Sequence, residues 1–245
     1  MVFFSRLRHP PRLEKSDIVM ILLPALLWGA SFLSRKEIIH PRCAETPELC
    51  SPATVFFGPD RLSIGRESAK ADGLSFTTQN SAGILAFGIP ITWSTALLAL
   101  GQVTPGGWAI AIATDTVILA QASLWNGFLT ECVRLVVQRP RPFVYTNPQR
   151  FGADPAHYTS FISGHTSFAA AAGLTLVLTL LGRGAPLTLV ASSGVLATML
   201  IFLTGLFRVL AGRHFMTDVL AGALGGALIA FFIAWIHRRG APTRI

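Results

Sequence analysis

Apolar residues along the chain gather into six windows, at 17–34, 81–100, 107–133, 166–182, 187–207 and 216–236. Each is close to the roughly 20 residues that carry an α-helix across a bilayer. Short links, GQVTPGG at 101–107, GRGAP at 182–186 and the stretch around RVLAGRHF at 208–215, join most of the windows. The pattern predicts an all-α protein: a bundle of six transmembrane helices forming a single domain over residues 1–245. Two longer connections, 35–80 and 138–162, hold most of the ionisable residues, so chemistry is expected there and at the helix ends they join.

Composition supports the membrane reading. Of 245 residues, 51% are hydrophobic and only 13% charged, and the mean hydropathy is +0.55. That balance argues against a soluble domain. The net charge of +8 raises the question of nucleic acid, but no basic stripe with interleaved aromatics lies outside the membrane ends. Topology and anionic ligands account for the charge better. Basic residues sit before the first window (Arg6, Arg8, Arg12, Lys15) and after the last (Arg238, Arg239, Arg244), which places both ends in the cytoplasm by the positive-inside rule. The 35–80 connection holds six basic and six acidic residues, so the bias is uneven. The expectation is a multi-pass protein of a bacterial inner membrane, with 35–80 and 138–162 on the periplasmic or exterior side.

The first window shares features with a cleaved signal peptide, including the small residues Gly29, Ala30 and Ser31, but no A-x-A-like cleavage site follows it. Cys132 lies in the third window, whereas Cys43 and Cys50 lie in the first long connection, where an oxidising compartment would permit them to pair or leave them free. The oligomeric state is not set by the sequence.

Three polar clusters interrupt the apolar pattern. The third window runs into RLVVQRPRP, where Arg134 and Arg141 stand seven residues apart, on one face if the helix continues, before Pro140 and Pro142 stop it. Arginines at such a boundary also snorkel to headgroups, and Arg139 and Arg150 are read that way. The fourth window opens FISGHTSF, placing Ser163, Gly164 and His165 at a helix start. Ser163 or Thr166 can cap that helix, and a glycine there lets an anion approach the free backbone N–H groups. The third cluster is RVLAGRHFMTD at 208–218, in which His214 and Asp218 are spaced i, i+4. That spacing lets the carboxylate accept a hydrogen bond from one imidazole nitrogen and leaves the other free to attack.

Counting crossings brings the clusters together. The first leaves the membrane by the third span, the second re-enters by the fourth, and the last follows the fifth, so all three lie on one face. Arg134, Arg141, Arg208, His165, His214 and Asp218 then form a cationic pocket with acid/base groups. Three guanidinium groups would repel a divalent cation, and no HExxH-like spacing is present, so no metal is expected. Forked guanidinium donors suit a tetrahedral oxyanion, and the inferred ligand is a phosphate.

In this order and spacing, Arg134-x6-Arg141-Pro142, Ser163-Gly164-His165 and Arg208-x5-His214-x3-Asp218 resemble the three-part signature of the type 2 phosphatidic acid phosphatase (PAP2) superfamily, which includes vanadium haloperoxidases. The resemblance covers residues 134–218 and suits six spans. Arg134 stands where the family usually has Lys, Ile162 where it has Pro, and Phe207 where it has Ser. The resemblance implies a metal-independent, cofactor-free membrane phosphatase of the lipid phosphatase branch, with His214 as nucleophile, Asp218 as its orienter and His165 as general acid. Arg134, Arg141, Ser163, Gly164 and Arg208 would bind the phosphate. The implied partners are a lipid phosphate monoester and the bilayer itself, with no nucleic acid. A polyprenyl diphosphate is the alternative substrate. A non-catalytic lipid-phosphate binder or transporter is the rival from another class, and its best support is the pair of acids in the third window, Asp115 and Glu131.

Overall fold

The computed structural model describes residues 13–239, and six helices dominate it: α1 (Lys15–Leu33), α2 (Ala69–Ala99), α3 (Pro105–Val137), α4 (Gly164–Gly182), α5 (Leu187–Leu210) and α6 (Met216–Arg239). All six are long and apolar enough to cross a membrane, and the described residues contain no strand. Arg6, Arg8, Arg12 and Arg244, on which much of the orientation argument rests, lie outside the described residues.

Local chemistry sets the helix limits. Thr104 caps α3 by accepting from the Gly107 N–H at 3.1 Å, and Pro105 fills the first helical position, where no N–H is needed. At its far end Gln138 adopts a left-handed conformation, φ 46°, and the two prolines that follow prevent continuation. The start of α2 differs from expectation. Ser68 caps it at the Ala71 N–H, 3.2 Å away, so the helix begins about three turns before the apolar window at 81. Asp72, Ser75, Thr78 and Gln79 lower the hydropathy of those turns, yet Ser75 and Thr78 are buried in the bundle. The connection expected over 35–80 therefore ends at Ser68.

The centre of the bundle is α4, which contacts α2, α3, α5 and α6. Its Ala169, Ala172, Leu176 and Leu180 pack with Ala82 and Ala86 of α2 and with Val190 and Leu200 of α5. Small residues matter here because helices in lipid gain little from hydrophobic burial and associate through close packing. The contact of α4 with α6 is closest at Gly226, where an added Cβ would run into the Ser167 carbonyl oxygen, and it is close again at Gly222, where a Cβ would sit 2.6 Å from the Ser163 carbonyl oxygen. Ser163 N–H also donates to the Asp218 carbonyl at 3.0 Å, so the SGHTS turn and the RHFMTD turn are tied together. Outward faces carry exposed apolar side chains such as Leu26, Ile84, Val195, Phe202 and Leu224, a surface suited to lipid.

Over one end of the bundle, residues 34–68 and 138–163 form a layer of short helical turns. Cys43 and Cys50 form a disulfide, and Cys132 is free. Around the disulfide, Ile39, Val144 and Tyr158 make a second small core. Tyr158 joins the two connections: its hydroxyl accepts from Cys43 N–H at 2.8 Å and donates to the Gly152 carbonyl at 2.7 Å. This layer covers the end where the three polar clusters emerge.

Candidate active site

Residues from four helix ends meet around a cavity of about 240 Å³, into which Arg134, Arg141, Gly164, His165, Arg208 and His214 project. The end of α3, the start of α4, the end of α5 and the turn before α6 supply them, as the crossing count requires. Within this group Arg141 Nε, His165 Nε2, Arg208 Nε and His214 Nε2 are buried without a hydrogen-bond partner among the described residues. Four uncommitted polar atoms around one cavity are costly unless a ligand completes them.

Each arginine is held by the protein, and Arg141 and Arg208 each keep an uncommitted Nε among the described residues. Arg208, 4% exposed, donates through Nη1 to Asp72 at 2.6 Å and to Ser75 Oγ at 3.3 Å. Arg141 donates through Nη2 to Thr159 Oγ1 at 3.1 Å. Arg134 donates through Nε to the Ile162 carbonyl at 3.2 Å, and its Nη1 lies 3.7 Å from the Glu131 carboxylate. Glu131 also takes a two-pronged ion pair from Arg35, just beyond α1. Gly164 bears on the same group: a Cβ there would lie 2.7 Å from Arg134 Nη2 and would push the guanidinium from its present place at the helix start. The first-turn N–H groups of α4, which have no intrahelical acceptor, open beside it.

His214 is 1% exposed, and its Nδ1 lies 2.7 Å from the Ser160 carbonyl oxygen. A carbonyl only accepts, so Nδ1 carries the proton and Nε2 keeps its lone pair. Burial, with Arg208, Arg141 and Arg134 nearby, pushes the His214 pKa well below the ordinary histidine value. The ring is therefore neutral at neutral pH, with an unprotonated nitrogen at the cavity wall.

The role of Asp218 differs from the direct hydrogen bond expected from the i, i+4 spacing. Its Oδ2 stands 3.7 Å from His214 Nδ1 and is instead taken by Ser160 Oγ at 2.5 Å and Phe215 N–H at 2.9 Å. Asp218 thus fixes Ser160, and the Ser160 carbonyl fixes the imidazole. The reason is geometric: at the first turn of α6 the carboxylate caps its own helix start and reaches the imidazole only through the intervening residue. Ser163 also turns away. Its Oγ lies 3.0 Å from Thr166 Oγ1 and 3.5 Å from Thr166 N, as a cap of α4, and it is absent from the cavity lining.

Several residues of the site were not anticipated. Arg139, read as a snorkelling side chain, instead donates to Asp218 at 2.6 Å, Thr217 Oγ1 at 2.7 Å and Asp60 at 2.8 Å, and stacks over the Phe215 ring at 3.9 Å. Asp60, Asp72, Glu131 and Arg35 are further supports. The carboxylates among them were visible only as acids scattered through a mixed-charge connection or a span, because sequence does not say which arginine each one meets. Asp115 pairs with Arg183 in a two-pronged ion pair at the other end of the bundle. Both acids of the third window are thus engaged by arginines, which removes the support they lent to an ion pathway.

A buried, arginine-lined cavity beside two histidines is thus set in the ends of apolar helices. The chain belongs to the PAP2 superfamily, whose description matches residues 107–241, more than half of the sequence. Comparison with curated proteins and with solved structures returns no match. Arg35, Asp60 and Asp72 lie before the matched region, so part of the support for the site comes from the chain upstream of it.

Proposed function

We propose that the protein is a metal-independent phosphatase that hydrolyses a lipid phosphate monoester through a phosphohistidine intermediate. The observation that carries this reading is the uncommitted Nε2 of His214, held neutral and unprotonated beside Arg134 and the uncommitted Nε atoms of Arg141 and Arg208. His214 Nε2 attacks phosphorus and the bond from phosphorus to the leaving alcohol breaks, while His165 gives that alcohol its proton. Water then attacks the phosphohistidine, His165 takes its proton back, and inorganic phosphate leaves. Arg134, Arg141, Arg208 and the N–H groups at the start of α4 hold the non-bridging oxygens as charge spreads over them.

Phosphate release by the purified protein tests this reading. Activity should persist in EDTA, because guanidinium groups occupy the positions where a cation would otherwise neutralise charge. Vanadate should inhibit by mimicking the pentacoordinate transition state. A strict requirement for added magnesium would refute the mechanism.

The site end of the bundle is assigned to the periplasm or cell exterior, in a bacterial inner membrane. The basic termini support this through the positive-inside rule, and a disulfide in the covering layer suits an oxidising compartment. A reporter active only in the cytoplasm should give signal when fused after Arg239. Silence there, with signal from an insertion near Gly152, would reverse the orientation.

A further inference from the structure

The cavity does not end at the arginines. Thr130, Asn126 and Ser123 also line it. They stand four, eight and eleven residues before Arg134 on α3, so the lining descends roughly 16 Å along the helix at 1.5 Å per residue. Gln79 of α2 joins them, and every polar side chain in this lower part is neutral. Thr130 is 3% exposed, and its hydroxyl has no hydrogen-bond partner among the described residues. Asn126 accepts from Ser167 through Oδ1, and its amide nitrogen has no hydrogen-bond partner among the described residues. A buried hydroxyl without a partner, next to further polar groups on one wall, calls for a ligand as the arginine edges do.

We propose that this lower wall is the leaving-group subsite, and that it takes a neutral hydrogen-bonding linker, such as a hydroxyl, ester or amide, between the scissile phosphate and the apolar chains. The inference rests on the reading of the arginine cluster as the phosphate site. His165, which protonates the leaving oxygen, and Phe168, one turn further along α4, line the same cavity, so the leaving group runs down from His165 past Thr130. A second phosphate at that depth would be a buried anion with no free cation beside it, since Arg35 is committed to Glu131. Further apolar lining comes from Trp28, whose ring lies against Gly127, where acyl chains would begin. The subsite thus selects against a prenyl diphosphate and for a monoester with polar groups next to the phosphate.

The test compares purified unaltered protein with the Thr130→Val, Gln79→Leu double variant on dioleoyl phosphatidate, farnesyl diphosphate and p-nitrophenyl phosphate. In the unaltered protein, kcat/KM should be higher for phosphatidate than for farnesyl diphosphate. In the variant, the ratio of phosphatidate to nitrophenyl phosphate kcat/KM should fall at least about tenfold, as expected when hydrogen bonds to a bound group are lost. Thr130→Ser keeps the hydroxyl and should keep the ratio, which guards against a variant that simply folds badly. An unchanged ratio in the double variant overturns the subsite while leaving the phosphatase reading intact. A preference for farnesyl diphosphate, lost in the variant, shows instead that the wall serves a second phosphate. No phosphate release from any of the three by the unaltered protein overturns the catalytic reading and the subsite with it.

Discussion

Purified protein carrying His214→Ala should form no phosphoenzyme and should turn over roughly 10⁴- to 10⁶-fold more slowly, the scale of loss seen when a covalent catalyst is deprived of its attacking group. His165→Ala should behave differently. It removes a proton donor and leaves the nucleophile, so the loss should be about 10²- to 10⁴-fold with a poor leaving group. A nitrophenyl phosphate needs little protonation as it departs, so it should rescue the His165 variant far more than the His214 variant. Rapid-quench trapping of acid-labile phosphate on the protein, beside steady-state rates on both substrates, separates the two roles. The structure supports the assignment through hydrogen bonding. His214 Nδ1 is committed to the Ser160 carbonyl, which exposes a fixed lone pair on Nε2, whereas His165 meets the edge of Phe76 with ring centroids 4.4 Å apart. A phosphoenzyme trapped in the His214 variant, or equal rescue of both, would mean that the nucleophile is His165.

Much of this arrangement was legible in the sequence because membrane topology is a one-dimensional problem. Helix length against bilayer thickness located the six spans, and parity alone placed the ends of α3, α4, α5 and α6 on one face. Arg134, Arg141, Gly164, His165, Arg208 and His214 do converge on one cavity. What escaped was partner choice. The i, i+4 spacing of His214 and Asp218 correctly put them close but did not reveal that the helix start and Ser160 compete for the carboxylate. The first turns of α2 were hidden because hydropathy counts Asp72, Ser75 and Gln79 as polar wherever they point, and these point into the protein or its cavity. Arg139 was misjudged for a related reason. A boundary arginine with no visible partner looks lipid-bound until the fold brings Asp60, nearly eighty residues upstream, alongside it.

That pairing carries the other large expected effect. Arg139→Leu should destabilise the protein by about 3–5 kcal/mol, because it strands a buried charge that one guanidinium had served. In this case Asp60 and Asp218, both fully buried, lose their cation together. The damage should reach chemistry as well. Asp218 holds Ser160 Oγ at 2.5 Å, and the Ser160 carbonyl holds His214 Nδ1 at 2.7 Å, so a carboxylate that moves or takes up a proton loosens the His214 ring. Arg139→Lys keeps one charge but cannot donate to Asp60, Asp218 and Thr217 from a planar fork, and should fall between the two. The second variant needed is Arg139→Leu with Asp60→Asn. Removing one of the stranded charges should restore part of the thermal stability while kcat stays low, because Asp218 remains uncompensated. Thermal unfolding in detergent, with the rate of phosphoenzyme formation measured alongside, distinguishes that split from a general loss of fold. An Arg139→Leu protein with unaltered melting temperature and kcat would show that the clamp supports neither the fold nor the nucleophile.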